Sequence, residues 1–334
     1  MSLSIIKYCP GTLTSGYDAY SRTCLRRMFN GRKVNHILPY ESPASNGATD
    51  DLFLENIKRI SISGVQGKFS LLLEKNKLRL IEEGEQGSYI LKPIPDLGKN
   101  LNQIPANEHL TMQIARQVYN IETAENALIF FNNGEPAYIT KRFDVKDDDS
   151  KLAKEDFASL AGRTPQTHGE NYKYLGNYLE MFEIMKEHLP AYKLEAPKLF
   201  SLLVFNYLFS NGDAHFKNFS LIETPLGDFR LSPAYDLLNT RLHIEDPDFA
   251  LDDKLLPKNI AIGNLWVQFN LLADKAELTK KQKNDIFDNL LSKSDNVEKL
   301  ISASFLNDKL KRNYTQAYQT RWKKLKEQNR QQSV

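Results

Sequence analysis

Residues 202–209 read Leu202-Leu203-Val204-Phe205-Asn206-Tyr207-Leu208-Phe209. A stretch this apolar has no side to give to water, so a helix over Pro197–Ser210 is expected to cross the middle of a helical layer. The next ten residues are of opposite character. Asn211-Gly212-Asp213-Ala214-His215-Phe216-Lys217-Asn218-Phe219-Ser220 sets Asp213, His215, Lys217 and Asn218 within six residues. Each can handle a proton, a metal or a phosphate. A second acid comes later, in Ser232-Pro233-Ala234-Tyr235-Asp236. Reactive side chains planted at the end of the most buried helix form a functional loop on a rigid support.

The chain has 334 residues, 41% hydrophobic and 26% charged, enough for a sizeable core in two domains or one bilobal unit. A net charge of +2 gives no global field for nucleic acid or an anionic membrane. No apolar run approaches the roughly 20 residues of a membrane span. The N-terminus lacks the long apolar region of a secretory signal. Cys9 and Cys24 are the only cysteines, which suits a reducing compartment and offers no zinc-ligand spacing. The balance fits a cytoplasmic enzyme.

Residues 1–55 are polar and irregular, with helix expected only near Tyr20–Phe29, and read as a strap on the first lobe. From residue 56 the period becomes two. Strands are expected at Ile57–Ile62, Phe69–Glu74, Leu78–Ile81, Ser88–Leu91, Ala127–Phe131 and Ala137–Phe143, with a helix over Ala106–Val118. A glycine-containing turn, Ser63-Gly64-Val65-Gln66-Gly67, comes after the first strand. Beyond Asp144 the texture is helical: Lys154–Ala161, Tyr172–Leu189, Pro197–Ser210, and a tail from about Thr279 to near Gln328. Two short strands, Phe219–Ile222 and Phe229–Leu231, interrupt it. The basic run 321–326 reads as a solvated helix face. The sum is an α+β chain with a β-rich N-lobe over 1–143 and a helical C-lobe over 144–334.

The spacing Asp213-x-x-x-x-Asn218 puts a carboxylate and an amide oxygen at the two ends of one tight loop. The carboxylate can take a proton from a hydroxyl, and the amide with Asp236 can bind Mg²⁺, a hard cation that prefers oxygen. Phosphoryl transfer also needs a cation on the phosphates and a loop over them. Lys92, at a strand end, and the 63–67 turn are the candidates. Singly, each piece has an ordinary reading: a surface lysine, a hairpin turn, a helix cap, a buried histidine. Their order along the chain carries the argument.

In that order the chain resembles the HipA family of toxin kinases. The resemblance rests on Arg59-Ile60-Ser61-Ile62-Ser63-Gly64-Val65-Gln66, Ile90-Leu91-Lys92, Asn107-Glu108, Lys141-Arg142-Phe143-Asp144, Glu155-Asp156-Phe157, the 211–220 block and Tyr235-Asp236. It implies a bilobal protein-kinase-like fold and an ATP-dependent serine/threonine kinase, the toxin of a toxin–antitoxin system that arrests growth. Asp213 would be the catalytic base, and Asn218 and Asp236 the Mg²⁺ ligands. Lys92, with Gly64, Val65, Gln66 and Gly67, would contact the ATP phosphates. Lys141, Arg142 and Phe143 would form the hinge near adenine, with His215 lining the nucleotide site. Ser61 and Ser63 match an autophosphorylated position, and a phosphate there adds about −1.5 to −2 charge beside those of ATP. Only about 55 residues precede the β-rich part that carries the phosphate loop, which resembles the short HipT-type form. Such a form implies a small antitoxin resembling the missing N-terminal subdomain and a DNA-binding antitoxin. The substrates implied are translation components such as an aminoacyl-tRNA synthetase. Neither direct nucleic-acid binding nor a membrane is expected; export into a host cell stays open.

Two other readings compete. Asp213-x-His215-x-x-Asn218 is also the pattern of phosphatidylinositol kinases, although the acid-rich segment 237–258 suits a polyanionic head group poorly. A partner-binding pseudokinase would lack a base or a metal ligand, and here both are in place.

Overall fold

The computed structural model describes residues 6–43, 67–96, 98–146, 148–245 and 247–332. The expected strand Ile57–Ile62 and the proposed loop residues Ser61, Ser63, Gly64, Val65 and Gln66 lie outside the described residues. Gly67 and Lys68, which lead into the first strand, lie within them.

After helix α1 (Arg22–Phe29) the chain builds a five-stranded antiparallel sheet from β1 (Phe69–Glu74), β2 (Lys77–Leu80), β3 (Tyr89–Lys92), β4 (Asn126–Phe130) and β5 (Pro136–Lys141), in the order β2-β1-β3-β5-β4. The β1–β2 turn is closed by Lys75 in the left-handed region, at φ 55°. It sets Leu71 opposite Leu80 and Leu73 opposite Leu78, so the apolar residues of both strands share a face. That face, with Leu91, Ala127, Ile129 and Ile139, packs against Cys24, Met28 and Phe29 of α1. The opposite face carries Leu128 and Tyr138 and packs against α2 (Ile104–Gln117). Period two therefore turns Lys92, one residue after the buried Leu91, toward α2; its ammonium lies 5.3 Å from the Tyr138 ring centroid.

The remainder comprises β6 (Lys154–Asp156), α3 (Phe157–Leu160), α4 (Pro165–His168), α5 (Tyr178–His188), α6 (Tyr192–Leu208), β7 (Ser220–Glu223), β8 (Phe229–Leu231), α7 (Leu265–Lys275), α8 (Lys280–Leu291), α9 (Ser294–Ala303) and α10 (Asp308–Gln332). β6, β7 and β8 form a three-stranded antiparallel sheet. α6 is the expected core helix, with Leu199, Phe200, Leu202, Leu203, Val204, Phe205, Tyr207 and Leu208 all buried. It begins five residues earlier than its sequence pattern suggested and carries Pro197 within it. One apolar core runs from α2 through α6 to α10. The α+β architecture, β-rich first and helical after, is as expected.

Three local expectations are corrected, and one helix is added that the sequence reading did not include. Lys154–Ala161 is not one helix: Lys154, Glu155 and Asp156 pair with Ile222, Leu221 and Ser220, and the Asp156 carboxylate then caps α3 at the Ser159 N–H. Tyr172–Leu189 is broken into a 3-10 turn (Tyr172–Tyr174) and α5. The break is Gly176, at φ 87°, followed by Asn177, which forms a reciprocal capping box with Glu180. The helix α7, before the expected helical tail, has Trp266, Phe269, Leu272 and Ala273 buried on one side. Finally, 321–326 is not a solvated face throughout. Arg321 is buried, donating to the Tyr207 carbonyl at 2.7 Å and pairing with Asp248 at 2.8 Å.

Candidate active site

Two loops and one strand end converge. The first loop leaves α6 through Ser210, whose φ of 55° turns the backbone out of the helix. It is tied down by its neighbours. Gly212 N–H donates to Thr240 Oγ1 at 3.0 Å, and Thr240 Oγ1 donates to the Ser210 carbonyl at 2.8 Å. Tyr178 Oη donates to the Ala214 carbonyl at 2.8 Å. Asn218 Nδ2 donates to the Asp213 carbonyl at 2.8 Å, closing the loop over the 3-10 turn Phe216–Asn218. The amide nitrogen is thus used in structure, and the amide oxygen is the atom left to bind anything else.

The second loop carries Asp236 in the left-handed region, φ 56°, a strained conformation for a residue with a Cβ. It is stitched to the first: Tyr235 Oη donates to the Lys217 carbonyl at 3.0 Å and lies 2.5 Å from Ser220 Oγ. So the neighbour of Asp236 is bonded to the neighbour of Asn218.

The strand end supplies Lys92. Its ammonium donates to Glu108 Oε1 on α2 at 2.7 Å and to Asp236 Oδ1. The Lys92 and Glu108 side chains are 6% and 4% exposed, whereas that of Asp236 is 27% exposed. That difference separates a structural anchor from a carboxylate that can meet a ligand. Burial works to lower the Lys92 pKa, but Asp236 and Glu108 hold it above the ordinary lysine value. Burial pushes Glu108 up despite Lys92. Asp236, with Lys92 against it and the positive charge of Lys68 also acting on it, is held well below the usual carboxylate range although burial works the other way. Lys68 adjoins Gly67, so the end of the expected phosphate loop brings positive charge to this cluster.

Asp213 is the most open of the acids, its side chain 44% exposed. Its Oδ1 accepts the Tyr174 hydroxyl at 2.9 Å and lies 3.8 Å from His215 Nε2. His215 is buried, which lowers its pKa to about 4 against the pull of Asp213, so the ring is neutral near pH 7. Its Nδ1 has no hydrogen-bond partner among the described residues. Lys217 pairs with Asp156 at 3.1 Å and serves to brace the loop.

Of the three expected hinge residues, Phe143 faces the Tyr235 ring at 5.9 Å, and the Lys154 ammonium lies 5.5 Å from both rings. The Lys141 ammonium is bound to Asn30 Oδ1 at 2.8 Å, and the Arg142 guanidinium forks onto Asp144 at 3.0 and 2.7 Å. The structure thus brings together Asp213, His215, Asn218, Asp236 and Lys92, with Phe143 beside Tyr235, and directs the side chains of Lys141 and Arg142 to structural partners. Sequence reasoning gave no role to Glu108 or Tyr174. Glu108 had a signal, an acid on the apolar face of α2; Tyr174 had none, because its contact spans 39 positions.

Among the described residues no three or more His, Cys, Asp or Glu side chains form a metal cage. The donor set is instead one amide oxygen and one ionised carboxylate, which suits a hard cation whose remaining ligands are water and substrate phosphates. Asn218 and Asp236 would hold such an ion, and it would supply positive charge against phosphate oxygens.

A β-rich part with a buried lysine–glutamate pair, joined to a helical part with an Asp-x4-Asn loop, defines a kinase-like fold. Solved structures share it. The Shewanella oneidensis HipA chain, solved in a complex of HipA, HipB and operator DNA, superposes with a TM-score of 0.57 at 19% identity, over 79% of this chain and 63% of its own. The Helicobacter pylori proinflammatory kinase CtkA gives 0.51 at 16% identity, over 76% and 92%. Residues 60–297 match the model of the HipA-like C-terminal domain, and the chain belongs to that family. Curated relatives include "Putative kinase Y4dM" of Sinorhizobium fredii, 34% identical over 242 residues, covering 68% of this chain and 56% of the relative. A "Putative kinase" of Haemophilus influenzae is 27% identical over 187 residues, covering 54% and 52%. The chain spans about half the length of these relatives. No described helix is long and apolar enough to cross a membrane.

Proposed function

We propose that the protein is an ATP- and Mg²⁺-dependent serine/threonine kinase of the toxin–antitoxin type, with lobes meeting near residue 143. The observation that carries the reading is Lys92, a charged lysine buried between Glu108 and Asp236 and stitched through Tyr235 to the loop of Asp213. A cell of buried fixed charges carries a desolvation cost that apolar packing would avoid, and clusters of this kind gather at functional sites. In the proposed reaction Lys92 binds phosphate oxygens of ATP; Asp236 and Asn218 are the residues that would hold Mg²⁺, which would supply positive charge against the phosphates. Asp213 orients the acceptor hydroxyl and receives its proton as the hydroxyl oxygen bonds to the γ-phosphorus and ADP leaves. His215, neutral, lines the nucleotide site, and the backbone of 141–143 borders adenine beside Phe143.

The loop serines Ser61 and Ser63 are proposed autophosphorylation sites that weaken ATP binding by charge repulsion. The proposed substrate is a translation component such as an aminoacyl-tRNA synthetase. The proposed restraints are a small antitoxin and a DNA-binding one, the latter suggested by HipB in the Shewanella complex. A cytoplasmic site of action fits this role.

Phosphoproteomics of cells expressing wild type or Asp213→Gln tests the reading. A protein phosphopeptide present only with wild type is expected and names the target. Equal phosphopeptide profiles, with ATP still bound, would leave the lipid-kinase or pseudokinase readings in its place.

A further inference from the structure

Asp213 has two carboxylate oxygens with different surroundings. Oδ1 accepts the Tyr174 hydroxyl at 2.9 Å and lies 3.8 Å from His215 Nε2. Oδ2 accepts no hydrogen bond from a described residue, and the side chain is 44% exposed. A carboxylate this open turns readily about its last torsion, which is broad and two-fold. Something has to fix it if one oxygen is to meet an incoming hydroxyl at roughly 2.6–3.2 Å.

Tyr174 is built to do so. It sits in the 3-10 turn Tyr172–Tyr174, between α4 and α5, and that turn is held from outside. The Tyr174 carbonyl accepts the Asp252 N–H at 3.0 Å, and the Gly176 carbonyl accepts the Asp253 N–H at 3.0 Å. The ring stands edge-on to His215, centroids 5.1 Å apart at 76°. The phenol is therefore located by backbone bonds on one side and by the imidazole on the other.

We propose that Tyr174 is a positioning residue for Asp213: its hydroxyl pins Oδ1 and so presents Oδ2 to the acceptor hydroxyl. This rests on the kinase reading above, and it adds a dependence on the 251–254 segment. That segment carries Tyr174 by its carbonyl, so disturbing it displaces the base without touching it. The opposite use of the same hydroxyl, as a plug that occupies the acceptor's place, predicts the opposite kinetics.

The test uses the full chain with Mg²⁺ and ATP, reading ADP release and phosphate incorporated into the chain, for wild type, Tyr174→Phe and Asp213→Asn. Tyr174→Phe keeps the ring against His215 and removes only the donor. Expected are a kcat about 10-fold or more below wild type, a KM for ATP within about twofold, and an unchanged melting temperature. A chain carrying 4-aminophenylalanine at 174, which restores a donor at the same reach, recovers turnover; a merely structural role would not show that rescue. An unchanged kcat overturns the proposal, and a raised kcat overturns it in favour of the plug. Should wild type and Asp213→Asn release ADP equally, the kinase reading fails and the role of Tyr174 with it. Asp213-dependent turnover that ignores Tyr174→Phe sinks this inference alone.

Discussion

Lys92→Met isolates the energetics of the buried charge cell. Methionine keeps the length and the apolar stem but leaves Glu108, whose side chain is 4% exposed, without its cation. Removing one partner of a buried pair costs about 3–5 kcal/mol. The glutamate can escape part of that by taking a proton, which sets a ceiling. Holding a carboxylic acid protonated at pH 7, about 2.7 pH units above the ordinary glutamate value at about 1.4 kcal/mol per unit, costs about 3.7 kcal/mol. At pH 5 the same step costs about 1 kcal/mol. A carboxyl whose folded pKa is raised stabilises the fold below its unfolded value and loses that contribution as pH rises. The destabilisation of Lys92→Met is therefore expected to grow with pH, under ceilings of about 1 kcal/mol at pH 5 and about 3.7 kcal/mol at pH 7. Asp236, 27% exposed, recovers water and contributes less. Urea titrations of wild type and variant at several pH values, extrapolated linearly with matched slopes, measure the difference. Lys92→Met/Glu108→Gln should abolish the pH slope. A loss under about 1 kcal/mol at pH 7, or one independent of pH, would refute the view of Glu108 as a buried charge that only Lys92 satisfies.

Two more outcomes are expected from the same geometry. Asp236 has a folded pKa depressed mainly by Lys92 against the effect of burial, so its contribution is present above the ordinary aspartate value and lost as pH falls. Wild type should lose stability on acidification below about pH 4 more steeply than Asp236→Asn, and superimposable acid-unfolding curves would contradict this. Gly176→Ala places a methyl group 2.4 Å from Glu180 Oε1 at a φ of 87°. It should break the capping box of α5 and cost about 1–3 kcal/mol by thermal or urea melting, while Gly227→Ala, also left-handed but with nothing within 4 Å of the added Cβ, should cost less.

The elements that could be read from sequence were those whose signal is local. Alternation gave β1, β2, β3, β4 and β5 to within a few residues, and the apolar density of 202–209 gave α6. The Asp213–Asn218 spacing foretold a closed loop, and Asn218 Nδ2 on the Asp213 carbonyl closes it. The features that escaped were set by distant partners. Lys154–Asp156 has helical texture but finds a free edge at β7. The helix expected across 172–189 is undone by Gly176 and the cap at Asn177, a stop signal outweighed by the periodicity around it. Arg321 looked like part of a basic surface stripe, yet the Tyr207 carbonyl and Asp248, 114 and 73 positions away, draw it inward. The charges of the site show the same divide: residue types and order were legible, but the sharing of one lysine by two acids was not.

Asn107, one residue before Glu108, joins α2 to the segment after Asp236. Its side chain donates to the Asn239 carbonyl at 2.8 Å, accepts the Asn239 N–H at 3.1 Å and meets His243 Nε2 at 2.9 Å, all in a buried setting. Swinging α2 outward to withdraw Glu108 would strip three buried polar contacts at once, at about 0.5–1.5 kcal/mol each before desolvation. The helix is latched. Outward movement of α2 is therefore opposed by the same contacts that hold Glu108 beside Lys92.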